Sequence, residues 1–292
     1  MWSIGQLWRY PTKSMLGEQV DSVTLGENGV AGDRAYALLD VATGRIVSAK
    51  RPAHFGRLLD CRATTAAGGG PSEAMVTLPD GSVLRMDDPE TERRLTALLG
   101  REVRVVTTAP DVATYEMMFP DVEGAAPEEF AAMTDIAERD AEGPVSAVAV
   151  GLFAPGTFVD VSPLHVVAAS TLAQLAGLDP STVWDVRRFR PNIVIDGESA
   201  EPFVENGWMG CEVAIGDEVV LQMGPSTPRC VMTTLAQPGL ERDLSVLRTL
   251  AQRNRQEIPE YGRWACLGTY ASVERGGTVR VGDRVEVGAP VG

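Results

Sequence analysis

Short segments that alternate apolar and polar residues, separated by glycine turns, recur along this chain and restrict its fold more than any other feature. DSVTL and AYALLD show the alternation of strands with one buried face. MVTLPDGSVLRM, CEVAIGDEVVLQM and TVRVGDRVEV each predict a hairpin, because a Pro-Asp-Gly or Gly-Asp turn divides two such halves. The pattern predicts a mainly β (α+β) protein, with strands in barrel or Greek-key arrangement and a few peripheral helices.

Three segments predict helices. Residues 88–100 begin with Asp88 as N-cap and Pro89 at the first helical position, and they end at Gly100. VSPLHVVAASTLAQLAG predicts a helix from Ser162 to the terminating Gly177, and LERDLSVLRTLAQRNRQ is a further candidate. No GxGxxG or P-loop motif occurs, so nucleotide-binding folds have no support.

The charge and composition of the chain argue against several classes of binding partner. The net charge of −14, from 40 acidic and 26 basic residues, makes nucleic acid and anionic membranes poor partners. No apolar run reaches the ~20 residues that span a bilayer, and the N-terminus lacks the pattern of a signal peptide. We therefore expect a cytoplasmic protein without a membrane partner. The four cysteines form no C-x-x-C pair and only two histidines occur, so a zinc site is not expected.

The segment 111–143 differs in composition from the rest of the chain. Ten acidic residues and one arginine give it a charge of −9. Such a composition favours a solvated linker or insertion. An acidic lid, or a surface that docks an electron donor, is the alternative.

Basic residues next to predicted strand ends suggest a local anion site in this acidic protein. An extended RRFRPN segment would place residues 188, 190 and 192 on one face, because side chains alternate along a strand. Guanidinium groups there can bind phosphate oxygens and ring edges. A single such residue is usually a solvated surface side chain. The candidates are Lys13, Ser14, Arg34, Arg188, Arg190 and Asn192, together with Ser170 and Thr171, which would face either the core or a ligand.

Cys230 directly follows Arg229 in PSTPRCVMTTLAQ. A neighbouring cation favours the thiolate, which is the form that binds metals. A soft ligand beside a phosphate-binding face suits a metal cofactor with a phosphate tail. The alternatives are a buried structural cysteine and a nucleophile, which would need a general base. The candidate bases His54 and His165 lie far away in sequence, and His165 falls on the predicted Ser162 helix.

Several segments, in this order, resemble the MOSC family, named for the C-terminal domain of molybdenum cofactor sulfurase: YPTKS, GDRAYALLD, FVDVSPLHVVAASTLAQL, RFRPNIVIDG, PRCVMTTLAQPG, LGTYASV and TVRVGDRVEV. The most similar subgroup includes the mitochondrial amidoxime-reducing component and its bacterial relatives. The resemblance implies a MOSC N-terminal β-barrel domain at residues 1–110 and a MOSC domain at residues 151–289. The acidic insertion or linker at 111–150 would lie between them.

The resemblance also implies a cofactor and an activity. Cys230 stands at the position of the cysteine that ligates molybdenum in this family, and it is the implied metal ligand and catalytic residue. The implied activity is reduction of N-oxygenated small molecules, such as hydroxylamines, amidoximes or N-oxides. Electrons would come from a separate donor of ferredoxin or flavin-reductase type, since no fused iron–sulfur module follows. The residues implied to hold a molybdopterin-type molybdenum cofactor are Lys13, Ser14, Arg34, Ser170, Thr171, Arg188, Arg190, Asn192 and Arg229.

One departure from the family pattern keeps other functions open. Pro228 stands where amidoxime reductases have a small hydroxyl residue, so one cofactor hydrogen bond would be missing. The alternatives are a non-catalytic carrier of cofactor or sulfur, and a MOSC scaffold used for metal-free chemistry in a specialised pathway. The family is also associated with pyridoxal phosphate, for which Lys13 would be the Schiff-base candidate. The sequence identifies no proton donor.

Overall fold

A computed structural model describes residues 1–65, 73–110, 113–127, 130, 136–140, 143–150 and 157–290. In this part the α-helices are α1 (Pro52–Phe55), α2 (Pro89–Leu99), α3 (Ala169–Leu178) and α4 (Ser245–Arg253). The strands are β1 (Trp2–Arg9), β2 (Glu18–Val20), β3 (Ser22–Gly26), β4 (Gly29–Val30), β5 (Ala37–Asp40), β6 (Arg62–Thr65), β7 (Ala74–Thr77), β8 (Val83–Arg85), β9 (Val103–Val106), β10 (Thr114–Met118), β11 (Ile136–Asp140), β12 (Gly143–Ala149), β13 (Leu164–Ala168), β14 (Ile193–Asp196), β15 (Cys211–Ile215), β16 (Val219–Pro228), β17 (Arg255–Ile258), β18 (Gly262–Arg275), β19 (Gly277–Arg280) and β20 (Arg284–Pro290).

Seven strands close into a barrel. Their order is β13-β14-β1-β20-β15-β16-β18, and β18 pairs back onto β13. The β13–β14 pair is parallel and is connected through α3, whereas the other pairs are antiparallel. Apolar side chains such as Leu7, Val166, Ile195 and Leu221 form one buried cluster on these strands. The predicted mainly β fold with a barrel is confirmed.

Strands from both ends of the chain share sheets. β1 lies between β14 and β20 in the barrel, and β3 pairs with β19. A separate apolar cluster, which includes Met15, Phe55, Leu58, Met86 and Leu95, is formed by residues between Met15 and Val103. No helix in the described part is both long and apolar enough to cross a bilayer.

The helix and the hairpins that were predicted from capping and turn residues are present in the structure. Asp88 caps α2 by accepting a hydrogen bond from the Glu90 N–H at 2.8 Å, and Gly100 ends it in a left-handed conformation with φ 65°. The hairpins β7–β8 and β15–β16 form as predicted. The third helix is shorter than its pattern suggests, because α4 covers Ser245–Arg253 alone.

The helix predicted from Ser162 is wrong in its first half. Leu164–Ala168 form strand β13, each residue of which is buried, and the helix begins only at Ala169. The run LHVV lies within the barrel wall, between β14 and β18. β-branched residues favour such a position, and this tertiary environment overrides the helical start signal of Ser162 and Pro163.

The prediction of a hairpin at the end of the chain is also wrong: both strands form, but they do not pair with each other. β19 pairs with β3, and β20 pairs with β1 and β15. Between them, the Val281 N–H donates to Asp21 O at 3.0 Å and the Gly282 N–H donates to Ile4 O at 2.8 Å. The turn residues are thus bound to distant strands, which separates the two halves.

The acidic segment 111–143 is not the predicted solvated linker where it is described. β10 pairs with β12, and Tyr115, Met117, Met118 and Phe119 are buried. Burying a large apolar side chain contributes about 1.5–3 kcal/mol, which favours an ordered strand in spite of the charge around it. Of this segment, residues 111–112, 128–129, 131–135 and 141–142 lie outside the described residues.

Candidate functional site

Backbone conformation singles out three of the predicted site residues. Ser14, Arg34 and Arg190 have φ values of 66°, 48° and 55°, and they are three of the five non-glycine residues with positive φ in the described part. Such conformations cost about 1–3 kcal/mol each and persist where surrounding contacts impose them, often at binding sites. The three residues therefore mark loops that are held in a specific shape.

Arg34 and Arg190 form the first half of the site, together with Tyr10. Their guanidinium carbons lie 5.0 and 4.3 Å from the centre of the Tyr10 ring. Arg34 forms an ion pair with Asp33, and Arg190 Nη1 donates to Met15 O at 2.5 Å. Burial, and then the charge of Arg34, lower the pKa of Arg190 to about 10. An anion bound between the two guanidinium groups would relieve this repulsion. We call this group the arginine half.

Lys13 and Lys50 form the second half, together with Tyr115 and Asp160. Lys13 Nζ donates to Phe158 O at 2.9 Å and contacts Asp160 Oδ1. Lys50 Nζ lies 2.9 Å from Asp160 Oδ2 and donates to the Tyr115 hydroxyl at 2.9 Å. The two ammonium groups hold the pKa of Asp160 well below its usual range, although burial alone would raise it. We call this group the lysine half.

The loops that carry the lysines are bonded to each other and to β10. Ser14 Oγ accepts a hydrogen bond from the Ala49 N–H at 3.0 Å, so the two loops are fixed side by side. The Met118 N–H donates to Lys50 O at 2.9 Å. The acidic segment thus contributes a strand to the wall of the site.

Cys230 lies where these elements meet, directly after β16. It packs against two apolar clusters, one containing Tyr115 and Phe158 and the other Ala49 and Met118. Cys230 is half-buried, whereas Cys61, Cys211 and Cys266 are buried. Cys230 is therefore the least buried of the four cysteines, and it borders the loops of the lysine half.

Arg229 points its side chain towards the barrel wall. Nη1 donates to Leu267 O at 3.1 Å and lies 3.0 Å from His165 Nε2, and Nη2 donates to Phe189 O at 3.3 Å. Burial and the Arg229 charge hold the pKa of His165 well below its usual range, so the ring is neutral. His165 lies on β13, not on the predicted helix, and it orients Arg229.

Of three further candidates, Thr171 and Asn192 bond to the protein itself, and Ser170 has no partner in the described part. Thr171 Oγ1 donates to Glu205 Oε2 at 2.5 Å. Asn192 Oδ1 accepts from the His165 N–H at 3.3 Å, and its amide donates to Trp8 O at 3.5 Å. Ser170 Oγ is buried and has no hydrogen-bond partner within the described residues.

The arrangement predicted for Arg188, Arg190 and Asn192 is wrong. Residues Val186–Arg188 form a 3-10 turn and Arg190 is left-handed, so the alternation of an extended strand does not apply. Arg188 is 2% exposed and donates only to backbone carbonyls. These are the carbonyls of Val183 at 3.1 Å, Thr233 at 3.3 Å, Leu235 at 3.3 Å and Glu241 at 2.8 Å. Arg188 thus fixes the segment that follows Cys230.

The sequence prediction missed Lys50, Asp160 and Tyr115. Lys50 and Asp160 lie far apart in sequence, and Tyr115 lies in the segment predicted to be a linker. One signal was available: Lys13 and Lys50 are the only two lysines among the 26 basic residues. Such scarcity singles out both positions.

Comparisons with known proteins show which proteins this chain is similar to. Residues 1–114 match the family described as MOSC N-terminal beta barrel domain, and residues 155–286 match the MOSC domain. Over 132 residues, 44% of this chain, the sequence is 33% identical to mitochondrial amidoxime-reducing component 1 of Homo sapiens. It is 34% identical over the same length to mitochondrial amidoxime reducing component 2 of Rattus norvegicus, and these matches span 37% of each relative. The crystal structure of the YUAD protein from Bacillus subtilis aligns over 99% of this chain and 97% of its own, at 13% identity and a TM-score of 0.45.

Proposed function

This chain belongs to the MOSC family, in the form that has an N-terminal β-barrel domain, and on that basis we propose that it is a molybdenum-cofactor-dependent reductase. Its substrates are N-oxygenated compounds of the hydroxylamine, amidoxime or N-oxide type, and its electrons come from a separate donor protein. The names of the relatives, amidoxime-reducing components, support this reaction class. Because the match spans 37% of their length, substrate and donor are part of the proposal.

The observation that carries the proposal is the position of the half-buried Cys230 beside loops that hold buried basic side chains. A thiolate is a soft metal ligand. Unpartnered polar atoms in two predicted site residues and in β16 also suit an additional bound group: Ser170 Oγ, Arg229 Nε and Thr227 Oγ1 are buried without a partner within the described residues. Each unsatisfied buried polar group costs about 1–3 kcal/mol. The chemistry of these residues therefore fits a cofactor that has a metal and an anionic, hydrogen-bonding body.

Each part of the site has a separate task in this proposal. When bound, the cofactor would supply a metal centre for two-electron chemistry. Cys230 holds the metal, and the arginine half binds the anionic tail. Arg188 keeps the Cys230 segment in place through four carbonyls. Met118, Val145 and Met232 pack in the cluster beside Cys230 and exclude water from that side of the thiol.

The proposal is tested by turnover of purified protein from a host that makes the cofactor. Reduced viologen, a small chemical electron donor, replaces the donor protein, and its oxidation is followed by absorbance after addition of an aromatic amidoxime, a hydroxylamine or an N-oxide. We expect oxidation to depend on both metal and substrate, with one molecule of amine, or of amidine from the amidoxime, formed for every two molecules of the one-electron-reduced viologen that are oxidised. Metal-loaded protein that reduces none of the three compound classes would contradict the proposal.

A further inference from the structure

Lysine is so rare in this chain that its two positions carry information. The chain has 24 arginines and two lysines, and both lysines are buried, at 5% and 7% exposure. Lysine is among the residues least often buried. A cation that only supplies charge can be arginine, as it is at the other 24 positions. Lysine differs from arginine in that its ammonium group can release a proton.

A continuous hydrogen-bonded path runs from solvent to Tyr115. The Asp160 side chain is 34% exposed, so it reaches water. Its Oδ2 lies 2.9 Å from Lys50 Nζ, which donates to the Tyr115 hydroxyl at 2.9 Å. An ammonium group has no acceptor site, so the Tyr115 oxygen is the acceptor and its own O–H points elsewhere. No acceptor for that O–H occurs among the described residues, which leaves its proton available to a ligand.

The inner end of this path lies at the Cys230 site. Tyr115 is 3% exposed, and Cys230 packs against the apolar cluster that contains it. The backbone of Lys50 is bonded to Met118, a member of the other cluster that contacts Cys230. Tyr115 therefore belongs to the cluster against which Cys230 packs, and Cys230 is near enough to contribute to the raised pKa of Tyr115.

Both inner groups carry their protons at neutral pH. Burial raises the pKa of Tyr115 to about 12, and the charge of Lys50 only partly offsets this effect. Burial lowers the pKa of Lys50, but Asp160, and then Tyr115 and Cys230, raise it well above its usual value. Lys13, the other cation facing Asp160, has a lowered pKa because of burial and the charge of Lys50.

We propose that Asp160, Lys50 and Tyr115 form a proton relay, with the Tyr115 hydroxyl as the catalytic group that donates to the leaving oxygen. The proposal rests on the reductase function proposed above. In that reaction the N–O bond breaks, two electrons from the donor protein are taken up, and two protons are added to give water and an amine, or an amidine when the substrate is an amidoxime. Tyr115 gives a proton, Lys50 reprotonates the phenolate, and water reprotonates Lys50 through Asp160. The relay operates once for each proton.

Two substitutions separate proton delivery from a structural role. Tyr115→Phe removes one oxygen and keeps the ring. Lys50→Arg keeps the positive charge and the donors but cannot pass on a proton. Since a positioned acid contributes about 10²–10⁴-fold to rate, we expect kcat with viologen to fall at least ~10²-fold in both, with unchanged metal content. The solvent deuterium isotope effect on kcat should rise, because proton transfer becomes rate-limiting.

Tyr261→Phe, in the same apolar cluster, is the matched control and should keep full activity.

The outcomes distinguish the relay from the reaction. Full activity of metal-loaded Tyr115→Phe would overturn the relay and leave the reductase function standing. Lys50→Arg with wild-type kcat and isotope effect would show that Lys50 supplies only charge, and would also overturn it. A wild-type protein that contains metal but reduces no N-oxygenated compound would overturn the function, and the relay with it.

A readout without metal or substrate tests the path itself. Protein labelled with [15N]lysine has only two side-chain Nζ nuclei, those of Lys13 and Lys50. In the metal-free protein we expect Tyr115→Phe to shift one of the two Nζ signals strongly and Asp160→Asn to shift both. Two signals that do not move in Tyr115→Phe would show that Lys50 and Tyr115 are not bonded, which would overturn the relay whatever the activity.

Discussion

The arginine half and the lysine half of the site contain the same kinds of group, but the cations of the two halves differ in their chemistry. Each consists of two cations, one tyrosine ring and one aspartate: Arg34, Arg190, Tyr10 and Asp33 in the first, and Lys13, Lys50, Tyr115 and Asp160 in the second. Arginine keeps its charge even when it is buried, whereas a buried lysine can lose its proton. The arginine half is therefore suited to a permanent anion, and the lysine half to groups that exchange protons.

The largest effects should come from removing the aspartate of each half. Asp33→Asn leaves Arg34, whose side chain is 16% exposed, without its partner, and breaking a buried pair costs about 3–5 kcal/mol. Arginine has a high pKa and stays protonated between about pH 6 and 9. The loss in the free energy of unfolding should therefore be constant over this pH range. Urea denaturation of the metal-free protein measures it.

Asp160→Asn should instead give a loss that shrinks as the pH rises. Without Asp160, burial lowers the pKa of at least one lysine in the folded state, so the unfolded chain binds more protons and stability increases with pH. In the wild type, the lowered pKa of Asp160 contributes to the free energy of unfolding. This contribution is present above the pKa of about 4 that Asp160 has in the unfolded chain, and it is lost as the pH falls below that value. Parallel pH profiles for the two variants would remove the distinction between the halves.

Arg188→Lys should destabilise the metal-free protein. The guanidinium of Arg188 bonds to four backbone carbonyls from three segments, and an ammonium group cannot reach them all. Each lost bond to a charged donor costs about 1.5–3 kcal/mol. The surface residue Arg187, paired with Asp185, provides the control, and Arg187→Lys should unfold at nearly the wild-type urea concentration. Equal midpoints for both variants would mean that Arg188 does not fix the Cys230 segment.

Arg190→Lys should act on cofactor retention more than on stability. Lysine keeps the charge but loses the planar fork that binds an anion and stacks on Tyr10. With one charge-assisted bond lost, at about 1.5–3 kcal/mol, pterin and metal occupancy after dialysis should fall about ten- to hundredfold at limiting cofactor. Unchanged occupancy would make Arg190 a structural residue of the loop.

The smallest effect should come from neutralising exposed acidic residues that would dock the electron-donor protein. Asp121 and Glu123 are exposed, whereas β10 of the same segment is core. Neutralising both, as Asp121→Asn with Glu123→Gln, should raise the KM for the donor protein about two- to threefold at low salt and have little effect at high salt, because screening acts over about 8 Å at physiological ionic strength. Turnover with viologen is the control. An equal change with both reductants would speak against docking.

Features with local causes could be predicted from the sequence, and features set by distant contacts could not. The caps of α2 lie within the residues that they terminate, and the turn of β15–β16 joins adjacent strands. Lys13, Arg34 and Arg190 were found because their short motifs resemble those of the family. β13 was taken for a helix because its start signals are real, and only burial in the barrel makes it a strand. Lys50, Asp160 and Tyr115 belong together only through folding, since they come from three distant segments.

The central claim, that Cys230 is the protein ligand of a molybdenum cofactor, is tested most directly by elemental analysis. Wild type, Cys230→Ser and Cys211→Ser are purified from a host that makes the cofactor, and molybdenum is measured per chain. Cys211 is buried and its thiol lies 3.8 Å from Gly207 O, a carbonyl that a serine hydroxyl can also bond, so this control tests the substitution alone. We expect one molybdenum per wild-type and Cys211→Ser chain and little in Cys230→Ser, because a hydroxyl is a poorer ligand than a thiolate for this metal. Full molybdenum content in Cys230→Ser would contradict the account.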